Sequence, residues 1–217
     1  MSIKVLLADD HPVVIDGLRS IIDKKAEDIK IIGEASNGND VLEMAKKNQV
    51  DIYVLDISMP ILNGIETAER LIKMNPYSKI IMLSIHDSHA FVEKALKSGA
   101  RGYILKESAT EEVIHAIREV YKGRFFLSPA ISMFIVKGFI GKRQGYRRSE
   151  EAFNLTQRER EIIQLIAESF TNKEIARQLN ISLYTVQVHR KNIMKKLGIN
   201  KHASLIRYAI KEGISKL

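Results

Sequence analysis

The chain has 217 residues, long for one average domain and comfortable for two. Its apolar content of 45% suits a globular core, the absence of cysteine excludes a disulfide framework or a thiolate metal site, and no apolar run approaches the ~18 residues needed to span a bilayer. The net charge of +8 is uneven: residues 1–130 carry 17 Lys+Arg against 19 Asp+Glu, whereas residues 131–217 carry 17 against 7 and no Asp. A mildly acidic front and a basic back imply that the back alone meets a polyanion, the alternative being a solvated basic face. The opening "MSIKVLLADD" is too short and too acidic to act as a signal peptide, so a soluble cytoplasmic protein without a membrane partner is expected.

From the start to residue 121, short apolar runs alternate with helical patterns. The runs are "IKVLLA" (3–8), "IKIIGEA" (29–35), "IYVLD" (52–56), "KIIMLS" (79–84) and "GYILK" (102–106). Between them apolar residues recur at helical spacing, as in Val13, Val14, Leu18, Ile21 and Ile22, or Ile65, Ala68, Leu71 and Ile72. Strands apolar throughout, separated by amphipathic helices, predict an α/β domain with a doubly wound, five-stranded parallel sheet covered on both faces.

Ligands of such sheets bind beyond the carboxyl ends of the strands. Those ends carry Asp9 and Asp10, Asp56, Ser84 and Lys106. Like charges about 4 Å apart repel by roughly 4 kcal/mol at an effective dielectric near 20, so clustered carboxylates need compensation. Three of them suit a divalent cation that prefers oxygen, Mg²⁺ above others. Asp56 then serves as a nucleophile toward phosphorus, while the metal and Lys106 neutralise the phosphoryl oxygens. Each residue alone has a structural explanation: Asp9 or Asp10 as a helix cap, Asp56 as a turn former, Ser84 and Lys106 as loop residues. All five at the correct ends of the correct strands favour the functional reading. His11, His86 and His89 lie near the same edge, but Mg²⁺ does not favour imidazole, and His86 and His89 are expected at the surface.

In order along the chain, "ADDH", "VLDISMPILNGIE", "IIMLSIHDS" and "GARGYILKES" resemble the acidic pair, phosphoacceptor loop, hydroxyl switch and lysine loop of the receiver domain of two-component response regulators. The resemblance covers residues 1–122 and implies a flavodoxin-like sheet of order 2-1-3-4-5. It implies Asp56 as the phosphorylated residue, and Asp10, Asp56 and the backbone carbonyl of Ser58 as direct Mg²⁺ ligands, with Asp9 acting through water. Ser84 and Tyr103 would form the switch, Lys106 would pair with the phosphoryl group, and Pro60 and Gly64 would shape the loop after Asp56. Glu107 stands where many receivers carry proline.

Residues 123–150 are expected to be a linker, opening with a short apolar helix and continuing through the charged, Gly-containing "GKRQGYRRSEE". A second domain is expected over 151–217. "TQRE" from Thr156 and "TNKE" from Thr171 are capping boxes, each preceding an apolar helical set. "QLNIS" is a tight turn with Asn180 suited to a left-handed conformation, Ser182 caps "LYTVQVHRKNIMKKL", and Gly198 closes it. "HASLIRYAIKEG" supplies a fourth helix. Short helices about a four-residue turn fit a helix-turn-helix over Thr171 to Arg190. Val186, Ile193 and Leu197 are expected inward, and Gln187, Val188, His189, Arg190, Lys191, Lys195 and Lys196 outward, on a helix of a size to enter the major groove.

The order of capping boxes resembles the LuxR-type helix-turn-helix, so the whole chain is similar to the NarL/FixJ family of response regulators. That resemblance implies Gln187, Val188 and Lys191 as base readers and His189, Arg190 and Lys195 as backbone contacts. Gln187 stands where relatives often carry Lys. The expected function is transcription regulation by double-stranded DNA binding, as a homodimer once a cognate sensor histidine kinase has phosphorylated Asp56, with Mg²⁺ as cofactor. A phosphohydrolase of the haloacid dehalogenase type is the enzymatic alternative, but Ser58 occupies the position of its second carboxylate. A receiver used without phosphorylation, as a dimerisation platform, is the third.

Overall fold

A computed structural model describes residues 2–86, 89–133, 155–199 and 201–215. The chain divides into two compact units, one drawn almost wholly from residues 1–147 and the other from residues 148–217.

The first unit alternates strands and helices: β1 (Ile3–Ala8), α1 (Pro12–Lys25), β2 (Ile29–Ala35), α2 (Gly38–Lys47), β3 (Ile52–Asp56), α3 (Gly64–Met74), β4 (Ile80–Ser84), α4 (His89–Lys97), β5 (Gly102–Leu105), α5 (Ala109–Tyr121) and β6 (Phe126–Leu127). All pairings are parallel, and the order is β2-β1-β3-β4-β5-β6. Every residue of β3, β4 and β5 is buried, because helices cover both faces of these strands. Side chains alternate between the two faces. Val5 and Leu7 of β1 join Ile15, Leu18 and Ile22 of α1 and Val113, Ile117 and Val120 of α5 in one cluster.

The sheet has one strand more than the sequence pattern predicts. β6 adds two residues to the β5 edge, with Gly102 opposite Phe126 and Tyr103 opposite Leu127. A two-residue strand shows no period, and it falls within the stretch expected to be linker. Ser128 follows, fully buried; its backbone N–H donates to Tyr103 O at 3.0 Å and its hydroxyl accepts from Leu105 N at 3.3 Å. The Ser128 hydroxyl also donates to Glu112 of α5. Residues 129–133 then turn helical, and the charged part of the expected linker lies outside the described residues.

The second unit is helical among its described residues: α6 (Gln157–Ala167), α7 (Asn172–Gln178), α8 (Leu183–Leu197) and α9 (His202–Lys211). Both capping boxes form, Thr156 with Glu159 and Thr171 with Glu174. Ser182 caps α8 by accepting from Thr185 N. Asn180 holds the α7–α8 turn at φ +51°, and Gly198 ends α8 at φ +62°. Ile162, Ile166, Ile175, Val186, Ile193, Leu197 and Leu205 meet in the core of this unit.

Candidate functional site

The parallel arrangement delivers the carboxyl ends of β1, β3, β4 and β5 to one edge. Asp9 and Asp10 follow β1 directly, Asp56 is the last residue of β3, Ser84 the last of β4, and Lys106 comes one residue after β5. Asp9, Asp56 and Ser84 are buried, and Asp10 is partly exposed. The Lys106 ammonium lies 2.6 Å from Asp9 Oδ2 and 3.0 Å from Asp56 Oδ2. One cation therefore bridges two buried carboxylates contributed by strands far apart in sequence.

The donor set suits a metal as well as an ammonium. One ligand atom each from Asp9, Asp10, His11 and Asp56 can be chosen so that all lie within 4.8 Å of one another. Three of the four groups are carboxylates, the chemistry of a hard divalent cation. His11 is turned onto the acidic pair, with Nδ1 3.1 Å from Asp9 Oδ1 and 2.9 Å from Asp10 Oδ1. Its backbone N–H also donates to Asp9 Oδ1, at 2.9 Å. Asp9 thus organises the β1–α1 corner as well as facing Lys106.

The loop after Asp56 is held from below. Gly64 N donates to Ile57 O at 2.9 Å, and a Cβ on Gly64 would stand 2.1 Å from the Asp56 carbonyl oxygen. Only glycine fits there. Asn63 caps α3 by accepting from Glu66 N, and Ser58 is buried two residues past Asp56.

Ser84 and Tyr103 are joined through His86. The Ser84 hydroxyl accepts from His86 N at 2.9 Å, and the Tyr103 hydroxyl donates to His86 O at 2.7 Å. Tyr103 is fully buried, so its ring is turned inward. The His86 ring stacks on Phe91, with centroids 4.1 Å apart and planes 13° from parallel. This corrects the expectation that His86 is a plain surface residue: it is half-buried and ties Ser84 to Tyr103. Its role rests on backbone atoms, which residue type does not reveal. The side chain of His89 lies outside the described part of the structure.

In the helical unit, Val186, Ile193 and Leu197 face the core, as their spacing predicts. Gln187, Val188, Lys191 and Lys195 are exposed, and His189 and Arg190 are half-buried on the flanks of α8. Arg190 donates to Asn172 Oδ1 at 2.6 Å and its second guanidinium nitrogen lies 3.2 Å from His202 Nδ1. Lys196 is exposed, as expected, and also pairs with Glu159 at 2.7 Å, which joins α8 to the capping box of α6. Burial pushes the Glu159 carboxyl upward, but its bonds to Lys196 and Thr156 outweigh that and hold it below the usual range.

Comparison with known proteins adds independent information. The response regulator receiver domain family matches residues 5–118, and the luxR family of bacterial regulatory proteins matches residues 153–209. The transcriptional regulatory protein MctR of Rhizobium johnstonii is 39% identical over 212 residues, spanning 98% of this chain and 95% of MctR. This chain is a response regulator of the NarL/FixJ family. The nitrate/nitrite response regulator protein NarL of Escherichia coli K12 is 37% identical over 195 residues, covering 90% of this chain and 89% of NarL. Among solved structures, the RcsB response regulator of Salmonella typhimurium superposes with a TM-score of 0.67 at 26% identity, over 97% of this chain and 98% of RcsB. RcsB has also been solved as a complex with DNA, and that structure matches with a TM-score of 0.59, at 26% identity over 97% of this chain and 98% of RcsB.

A response regulator of this family carries a receiver that takes its signal from a sensor kinase and a LuxR-type domain that binds DNA to regulate transcription. It is a transcription factor, not a turnover enzyme. No helix among the described residues is long and apolar enough to cross a membrane.

Proposed function

We propose that Asp56 is the phosphoacceptor, and that its phosphorylation by a sensor histidine kinase drives sequence-specific promoter binding in the cytoplasm. The observation that carries this reading is the single ammonium of Lys106 set between Asp56 and Asp9. In the transfer step an Asp56 carboxylate oxygen attacks phosphorus, the P–N bond to the donor histidine breaks, and its electron pair stays on the departing imidazole nitrogen. Lys106 sits close enough to pass from the Asp56 oxygen to a phosphoryl oxygen, offsetting charge that collects there. Mg²⁺ fits the carboxylate-rich donor set; Asp10, Asp56 and the Ser58 carbonyl would hold it, with Asp9 acting through water, and when bound it neutralises phosphoryl oxygens.

The aspartyl phosphate carries nearly two negative charges in place of the carboxylate's one, and adds strong acceptor oxygens. Ser84 ends β4, the strand beside β3, and its exchange of His86 N for a phosphoryl oxygen would reach Tyr103 through the same residue. The DNA-facing residues of α8 divide into base readers (Gln187, Val188, Lys191) and backbone contacts (His189, Arg190, Lys195). The phosphorylated homodimer would place two such helices on half-sites about one helical turn, ~34 Å, apart.

Treatment of the full chain with a small phosphodonor, with and without Mg²⁺, tests the reading. The expected result is a stable, Mg²⁺-dependent mass gain on the wild type, none on Asp56→Asn, and tighter promoter binding only where the mass gain occurs. Continuous phosphate release would favour a hydrolase instead, and a DNA response retained by Asp56→Asn would remove the phosphoacceptor assignment.

A further inference from the structure

Helix α8 presents a large aromatic side chain on its outward face that the base-reading assignment does not use. Tyr184 is 74% exposed, and Val188, one turn later, is 38% exposed. At 3.6 residues per turn, positions 184, 188, 191 and 195 form one stripe. The stripe lies roughly opposite Val186, Ile193 and Leu197, which are buried in the core. Lys191 and Lys195 occupy its C-terminal half. The N-terminal half is therefore apolar and aromatic, while the C-terminal half is cationic.

An exposed tyrosine ring beside an exposed valine needs an explanation; Leu183, on the flank of the first turn, is also 38% exposed, and the remaining outward residues of the helix are polar or basic. Among the described residues no hydrogen bond, ion pair or ring contact engages the Tyr184 side chain, and the Ser182 cap is made through Thr185. The basic half of the stripe selects the partner by charge, and that partner is a polyanionic duplex. Within the major groove the apolar object at a base edge is the C5-methyl of thymine. Residues at the N-terminal end of a recognition helix are those that reach base edges.

We infer that Tyr184 is a specificity-determining residue, its ring packing with Val188 against a thymine C5-methyl in each half-site. The inference rests on the reading of α8 as the DNA-reading helix. It extends the reading surface by one turn toward the start of the helix, and makes part of the sequence preference apolar instead of hydrogen-bonded.

The test uses the phosphorylated full chain and duplexes recovered by selection from random DNA. Each thymine of the selected half-site is replaced in turn by uracil, which removes only the methyl. One position should cost the wild type about fourfold in affinity, the value of burying one methyl-sized group. Tyr184→Ala should bind the selected site several-fold more weakly and show no further loss at that same uracil. Tyr184→Phe should behave as wild type, because the ring and not the hydroxyl makes the contact. Binding to random DNA should be equal for all three, and because the side chain is exposed their thermal midpoints should agree. Equal losses on selected and random DNA, an undiminished uracil effect in Tyr184→Ala, or a phenylalanine variant as weak as alanine would each overturn the inference. Gln187→Ala and Lys191→Ala run alongside. If they lose specificity while Tyr184→Ala does not, only the tyrosine assignment falls; if none of the three loses it, the reading of α8 falls as well.

Discussion

At the scale of single residues, the acidic edge depends on Lys106. Its ammonium holds two buried carboxylates, and its own side chain is only 12% exposed, so neither partner has water to replace it. Lys106→Met removes the ammonium that Asp9 and Asp56 share, and the expected cost is on the order of 3 kcal/mol at neutral pH, measured by urea unfolding. Adding Asp9→Asn to that variant should recover much of the loss, because one of the two like charges is gone. A single variant as stable as wild type would mean that the pair contributes nothing to the resting fold. The carboxylates and the lysine were legible in the sequence because each follows an apolar run, and a parallel sheet brings such ends together. His86 was not legible. It joins Ser84 to Tyr103 through its backbone N–H and carbonyl, and any residue type carries those atoms. Ser128 escaped notice for a related reason: a hydroxyl 23 residues from Leu105 carries no local signature of its partner.

At the scale of elements, the parts decided locally were readable and the parts decided by long-range pairing were not. Both capping boxes, the left-handed Asn180 and the Gly198 stop follow from short-range chemistry, and all of them form. β6 consists of two residues that become a strand only because β5 offers an edge. The pair Lys196–Glu159 spans 37 positions and looked, from α8 alone, like one more solvated lysine. That pair makes the helical unit acid-sensitive in a definite direction. The Glu159 carboxyl is held below its ordinary value in the folded chain, so its contribution is fully present above the unfolded value. The contribution is lost as pH falls below the ordinary glutamate range and through the folded value. Protection factors of the α6 amides, in which the intrinsic pH dependence of exchange is divided out, should therefore fall toward acid when followed on the full chain from neutral pH down to about pH 3. Lys196→Met should flatten that fall. An unchanged profile in the variant would show that Thr156, and not the inter-helix pair, holds the carboxyl down.

For the whole molecule, the charge distribution constrains how the signal reaches DNA. Residues 1–130 have an acidic excess of two and residues 131–217 a basic excess of ten. Phosphorylation replaces the single charge of the Asp56 carboxylate with a phosphoryl group of about −1.5 to −2, a net gain of up to about one negative charge in the acidic part. Acting as charge alone, it would weaken attraction to a polyanion, the opposite of the proposed response. On the proposed reading the gain in affinity comes from assembly, in which two basic domains engage one duplex and the second binds at the high effective concentration set by the first. This account fixes an observable. The logarithm of affinity falls linearly with the logarithm of salt concentration, at a slope set by the number of phosphates neutralised. The phosphorylated chain on a two-half-site duplex should show roughly twice the slope of the unphosphorylated chain, together with cooperative binding. Lys195→Ala should lower affinity equally on selected and random duplexes and reduce the slope by about one for each half-site occupied. Lys191→Ala should fall mainly on the selected site. Arg190 is the control for misreading such data, since it already bonds Asn172 and approaches His202, so its loss disturbs the fold as well as the interface. If phosphorylation raised affinity with no change in slope, the added binding would come from a rearranged monomer, and assembly on paired half-sites would not be the route from the aspartate to the promoter.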